Sequence, residues 1–230
     1  MIHIIRHLPV FCLAIFLADA GTASAQGIPG NPISRTLQWP DIMAGADIRA
    51  ACGPGTPERW RFVYNAIYSE QVRSYDIVGG TVETRVFERL GIGYMTTFSL
   101  AEFIHGAVSA VPIAPEDLRR LVAVWEADLP KAVKPVGHLR ADRFFWTSAG
   151  CRDGRFVVAA FNYPPDGSTP FNFPLELARF DRSGKPGNPP RPMPDVGALA
   201  GYIPSRHNSA DRDMQRFLLR VTEDGITFGY

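Results

Sequence analysis

Lysine is nearly missing from this chain. Lys131, Lys134 and Lys185 are the only three, and every other cation is arginine. There is no basic run, and 24 Lys plus Arg against 23 Asp plus Glu leave a formal charge of +1. A nucleic-acid binder concentrates a basic excess on one surface, so that class is excluded from the expectation. Catalytic signatures are missing as well: no GxSxG elbow, no SxxK, no HExxH and no Walker loop. Gly91-Ile92-Gly93 is only a fragment of a Gly-rich loop. Without a CxxC pair, thioredoxin-like chemistry has no support. Past the first 25 residues histidine is reduced to His105, His138 and His207, with no two at ligand spacing, so neither a metal nor a cofactor is expected. That same stretch holds no apolar run of the roughly 20 residues that a membrane-spanning helix needs.

What is present begins with residues 1–25. Arg6 supplies a positive start, Leu8 to Ala18 is a short apolar run, and Ala23-Ser24-Ala25 gives a small-x-small pattern. This predicts a signal peptide cut before Gln26, and therefore a periplasmic or secreted product. Cys12 would leave with the leader, so Cys52 and Cys151 remain. An even pair in an oxidising compartment bonds, which predicts a Cys52–Cys151 disulfide. The chain-entropy model allows such a long loop up to about 4.7 kcal/mol.

Periodicity then assigns the elements. A short helix starts at Pro40 and is ended by the Gly/Pro cluster Cys52–Pro57, with Gly45 a weak point inside it. Trp60, Phe62, Tyr64, Ala66 and Tyr68 alternate, as in a half-buried strand over Arg59–Tyr68. Val72–Val78 and Thr81–Leu90 are strands joined through Gly79-Gly80, a hairpin in which Asp76 faces Glu83. Ser99-Leu-Ala-Glu102 is a capping box, and Leu100, Phe103, Ile104, Ala107 and Val108 share a stripe, which predicts a helix over Ser99–Ala110. A second helix is predicted over Ala114–Leu129, buried through Leu118, Leu121, Val122, Trp125 and Leu129. Arg143–Ala149 and Arg155–Tyr163 are strands around the Asp153-Gly154 turn. Phe171–Phe180 reads as an edge strand because of Pro174. Residues 181–195 hold five prolines (Pro186, Pro189, Pro190, Pro192, Pro194) with Gly184 and Gly187, so they form an extended strap. Arg216–Thr222 and Ile226–Tyr230 read as a hairpin, although the first arm also fits a helical stripe. An aromatic final residue after alternating Ile226 and Phe228 also occurs in outer-membrane barrels, but two helices and a Pro-rich strap oppose that class.

Strands, then two helices, then strands give an α+β fold: an antiparallel sheet of about six to eight strands packed against two central helices, with one disulfide. A bond between Cys52 and Cys151 would join the two strand blocks, which favours a single domain over residues 26–230.

One constellation points to binding. Arg59, Arg61 and Arg73 lie among Tyr64, Tyr68 and Tyr75, and these six are the candidate binding residues. Aromatic faces stack on ligands and Arg forks clamp acids. A half-buried sheet with a solvated face carries the same mixture. Asp76 and Glu83 read as part of such a face, with Arg85 on the diagonal. The expected function is a non-catalytic exported protein that binds an envelope protein or glycan partner. Two alternatives stay open. One is an exported hydrolase in which Ser148 or Ser168, near Asp153 and Asp166, meets a distant histidine. The other is a small-molecule carrier with an apolar cavity between sheet and helices.

Overall fold

The computed structural model describes residues 39–68, 70–88, 106–192 and 218–228. The predicted leader, most of the capping-box segment, His105, His207 and residues 193–195 of the strap lie outside them.

Residues 39–44 are helical, and α1 follows over Ala46–Ala51. Gly45 separates the two with φ of 65°, and a Cβ there would lie 2.2 Å from the Cβ of Ala149. Only glycine permits both the left-handed backbone and that approach. Cys52 ends α1 in an extended conformation, as the Gly/Pro cluster predicts.

Nine strands follow in the described residues: β1 Arg59–Ala66, β2 Gln71–Val78, β3 Thr81–Glu88, β4 Ala107–Pro112, β5 His138–Arg140, β6 Phe144–Arg152, β7 Arg155–Asn162, β8 Leu218–Thr222 and β9 Gly225–Phe228. Six of them form the main antiparallel sheet, in the order β4-β3-β2-β1-β6-β7. Between β2 and β3, Gly79 and Gly80 have φ of 56° and 77°, as a two-residue hairpin turn needs. The register pairs Val78 with Thr81 and Asp76 with Glu83, as expected. A second, three-stranded sheet is ordered β5-β8-β9. The ambiguous first arm of the last hairpin is thus a strand.

Two predicted elements are corrected. The expected helix over Ser99–Ala110 does not hold at its end, because Ala107–Ala110 belong to β4. The register runs from Val86↔Ala107 to Thr81↔Pro112, so pairing satisfies the outer edge of β3, and β-branched Val108 and Val111 suit a strand. The described residues therefore contain one long helix, α2 Pro115–Asp128, where two central helices were expected. Phe171–Phe180 is not a strand; it contains α3, Phe173–Ala178. Pro174 occupies the first turn, where its missing N–H costs nothing. The Asp128 carboxylate accepts from the backbone N–H groups of Asn172 at 2.6 Å and Phe173 at 3.1 Å, which caps the new helix.

Both faces of the main sheet are covered over its central strands, while the face of β3 and β4 that carries Glu83, Val108 and Ala110 stays open to solvent. On one face α2 and α3 bury Leu121, Val122, Trp125, Phe173 and Leu177 against Trp60, Phe62, Trp146 and Phe161. Trp60 and Trp125 meet edge-on at 5.0 Å, and Phe173 sits 5.8 Å from Phe62 and 5.4 Å from Trp146. On the opposite face the small sheet (Leu139, Leu219, Val221, Ile226) and the helical residues Trp39, Ile42 and Met43 cover Val63, Val72 and Phe145. The expected solvated face is absent along β1, where every residue after Arg59 is buried.

Cys52 and Cys151 form the predicted disulfide, with Cα atoms 5.5 Å apart and a sequence separation of 99. It joins the end of α1 to the end of β6. Among the described residues, no helix is long and apolar enough to cross a membrane.

Candidate functional site

Strand alternation divides the six candidate residues between the two faces. Arg59 and Arg61 point to the face that carries α1 and the small sheet. Tyr64, Arg73 and Tyr75 point to the helix-bearing face, since Tyr64 pairs with Arg73 and Phe62 with Tyr75. Tyr68 lies beyond β1, buried beside Trp39 at 5.9 Å, and its backbone N–H donates to the Ala141 carbonyl.

Arg59 and Arg61 are committed to structure. Arg61 reaches Asp47 of α1 at 2.7 Å and Asp76 of β2 at 2.7 Å, and Arg59 reaches Asp47 at 2.9 Å. Burial alone would raise the pKa of Asp47, but the charges of Arg61 and Arg59 outweigh it and hold that carboxyl below the ordinary range. The Arg61 guanidinium, desolvated yet flanked by Asp76 and Asp47, is held above its ordinary value. This network pins α1 to the sheet. The facing acids Asp76 and Glu83 do not act as a pair, because Glu83 accepts from Arg85 Nε at 2.6 Å while Asp76 accepts from Arg61.

Tyr64, Arg73 and Tyr75 grip the Pro/Gly-rich strap instead. Arg73 donates to the Lys185 carbonyl at 2.9 Å and the Pro186 carbonyl at 3.1 Å, and pairs with the Asp181 carboxylate. Tyr75 Oη donates to Asp181 Oδ2 at 3.1 Å, and Tyr64 Oη to the Asn188 carbonyl at 2.9 Å. Gln71 uses both ends of its amide. Its Nε2 donates to the Pro186 carbonyl at 3.0 Å, and its Oε1 accepts the Asn188 N–H at 3.1 Å. Asn188 Nδ2 donates in turn to the Ala66 carbonyl at 3.0 Å and to Glu70 at 2.8 Å.

The floor beneath is aromatic. Tyr64 stacks on Trp146 at 4.7 Å, Tyr75 lies 6.1 Å from the same ring, and Tyr163 lies 6.0 Å from Tyr64. Burial pushes the phenols of Tyr64 and Tyr75 well above their ordinary range and that of Tyr163 up to about 12, so all three stay neutral; Tyr64 and Tyr75 donate, while Tyr163 Oη accepts from Trp146 Nε1 at 3.0 Å. Burial would raise the Asp181 carboxyl, but the Ser183 hydroxyl and N–H, together with Arg73, bring it below the ordinary range.

Gln71, Asp181 and Asn188 complete this clamp, and sequence reasoning missed them. The one available signal was Asn188, an amide side chain set in a run of glycine and proline. Asp47 and Asp128 were missed for a similar reason, as their partners lie on other elements.

Candidate nucleophiles are placed as follows. Ser148 is buried in β6, where its Oγ accepts from Trp125 Nε1 at 2.8 Å. Ser168 forms an Asx turn, its N–H donating to Asp166 Oδ1 at 2.9 Å. His138 opens β5 opposite Arg220. Among the described residues no group of three or more His, Cys, Asp or Glu could hold a metal ion. Compared with known proteins, the chain matches no protein-family model, no curated protein and no solved structure.

Proposed function

We propose that this chain is an exported, non-catalytic binding protein, periplasmic or secreted, and that its partner is an extended polypeptide segment of an envelope protein. The carrying observation is the clamp on the helix-bearing face: Tyr64, Gln71 and Arg73 aim donors at main-chain carbonyls of the strap above an aromatic floor. That is the chemistry of polypeptide recognition, in which main-chain bonds give affinity and an aromatic groove favours proline-bearing chain. Support for export comes from the predicted leader and from the disulfide, which persists in oxidising compartments.

Two measurements test this. Protein recovered from producing cells is expected outside the inner membrane, oxidised and starting at Gln26. In solution it is expected to retain proline-bearing peptides from an immobilised panel in preference to acidic oligosaccharides. Cytosolic, reduced protein would contradict export. Oligosaccharides that bind as well as the peptides would contradict the polypeptide assignment and restore the glycan reading.

A further inference from the structure

We propose that the strap over residues 181–192 is a displaceable occupant of its own groove. A partner segment with a carboxylate ahead of a proline-bearing run enters by exchange for it. This rests on the polypeptide-binding reading above and adds how access to that site is controlled.

The first support is an asymmetry of burial. Tyr64, Gln71, Arg73 and Tyr75 are buried floor residues, whereas no residue from 181 to 192 is buried. Elements that anchor a core do so through buried apolar side chains. The strap contributes none, so its departure removes no apolar side chain from the core. Below it the floor remains packed by its own stacks of Tyr64 and Tyr75 on Trp146.

The second is what the clamp reads. The carbonyls of Lys185, Pro186 and Asn188 accept, and Asn188 alone of these three offers a backbone N–H to the floor. A proline-rich segment is rich in acceptors and poor in donors, because proline has no N–H. The floor is the complement, rich in donors. Asp181 and Asn188 add side-chain hydrogen bonds to buried floor groups or to the backbone beneath, and Arg191 lays its guanidinium over the Phe144 ring at 5.2 Å. The pairs Lys185–Glu88 and Arg191–Glu70 lie at the rim, where ion pairs contribute little.

Together these make exchange near-balanced and simple opening unfavourable. Lifting the strap leaves Arg73, Gln71 and the tyrosine hydroxyls without their strap partners. An incoming chain that presents a carboxylate to Arg73 and Tyr75, then carbonyls to Gln71 and Tyr64, restores those bonds.

The experiment uses the oxidised protein and a fluorescein-labelled synthetic peptide with the sequence of residues 181–192, read by fluorescence anisotropy. D181N and N188A, singly and together, weaken the strap without touching the floor. The double variant is expected to keep a cooperative melt and to bind the peptide at least tenfold more tightly than the unsubstituted protein. Adding Q71A to it is expected to abolish that binding. Equal binding by both proteins, or none by either, overturns the proposal. Loss of cooperative folding in both single variants also overturns it, because the strap is then part of the fold. Peptide exchange with no retention of partner peptides on the panel would leave the strap proposal standing and remove only the broader function.

Discussion

At Arg61 a full charge is buried between the carboxylates of Asp47 and Asp76. Removing one partner of a buried pair leaves the others desolvated and unpaired, which costs about 3–5 kcal/mol. Arg61→Ala is therefore expected to lower the stability read from urea unfolding by that order, whereas Arg120→Ala, at an exposed arginine of α2, is expected to leave the unfolding midpoint nearly unchanged. Acid should act through the same residues. Asp47 and Asp181 have depressed folded pKa values, so the unfolded chain binds more protons over the window between folded and unfolded values. Their contribution is fully present above about pH 4, the unfolded carboxyl value, and is lost as the pH falls through the folded values. Urea unfolding from neutral pH down into the acid range below that value is expected to show the loss, and D181N to remove part of it. The period-2 pattern showed that Arg59 and Arg61 share one face and Trp60 and Phe62 the other. It carried no information on what would cover the arginine face, because Asp47 arrives from a separate helix.

Elements were legible where a local signal and the tertiary contacts agree. Gly79-Gly80 fixes the hairpin register, and the acidic first turn with its apolar stripe fixes α2. Phe173–Ala178 was misread because Phe171 and Phe173 alternate as a strand would, while the cap that favours a helix comes from Asp128 on another element. The two assignments make opposite claims about neighbours. In α3, Phe173 and Leu177 lie one turn apart and are buried, while Leu175 is 66 % exposed. Phe173→Ala is expected to cost about 3–5 kcal/mol, and Leu175→Ala less than about 0.5 kcal/mol. Comparable losses at the two positions, measured by denaturant unfolding, would contradict the helix. The missed strand β4 has the same origin, since Ala107–Pro112 takes its conformation from the unpaired edge of β3.

Across the whole molecule, the disulfide and the strap are two long-range ties of different kind. Cys52–Cys151 was predictable once the expected leader had removed Cys12 and left an even pair in an oxidising compartment, and replacing both by serine is expected to lower stability by about 2–5 kcal/mol, read as a shifted denaturant midpoint. The strap was recognisable as extended chain from its prolines, but its seat was not, because Gln71, Arg73 and Tyr64 come from a distant pair of strands. A displaceable strap opens independently of the sheet beneath it, and native-state hydrogen exchange on the oxidised, unsubstituted protein measures this directly. The Asn188 N–H, bonded to Gln71, is expected to exchange at least about a hundredfold faster than the β1 amides of Phe62 and Val63. Equal protection at Asn188 and β1, with exchange of both limited by global unfolding, would contradict it.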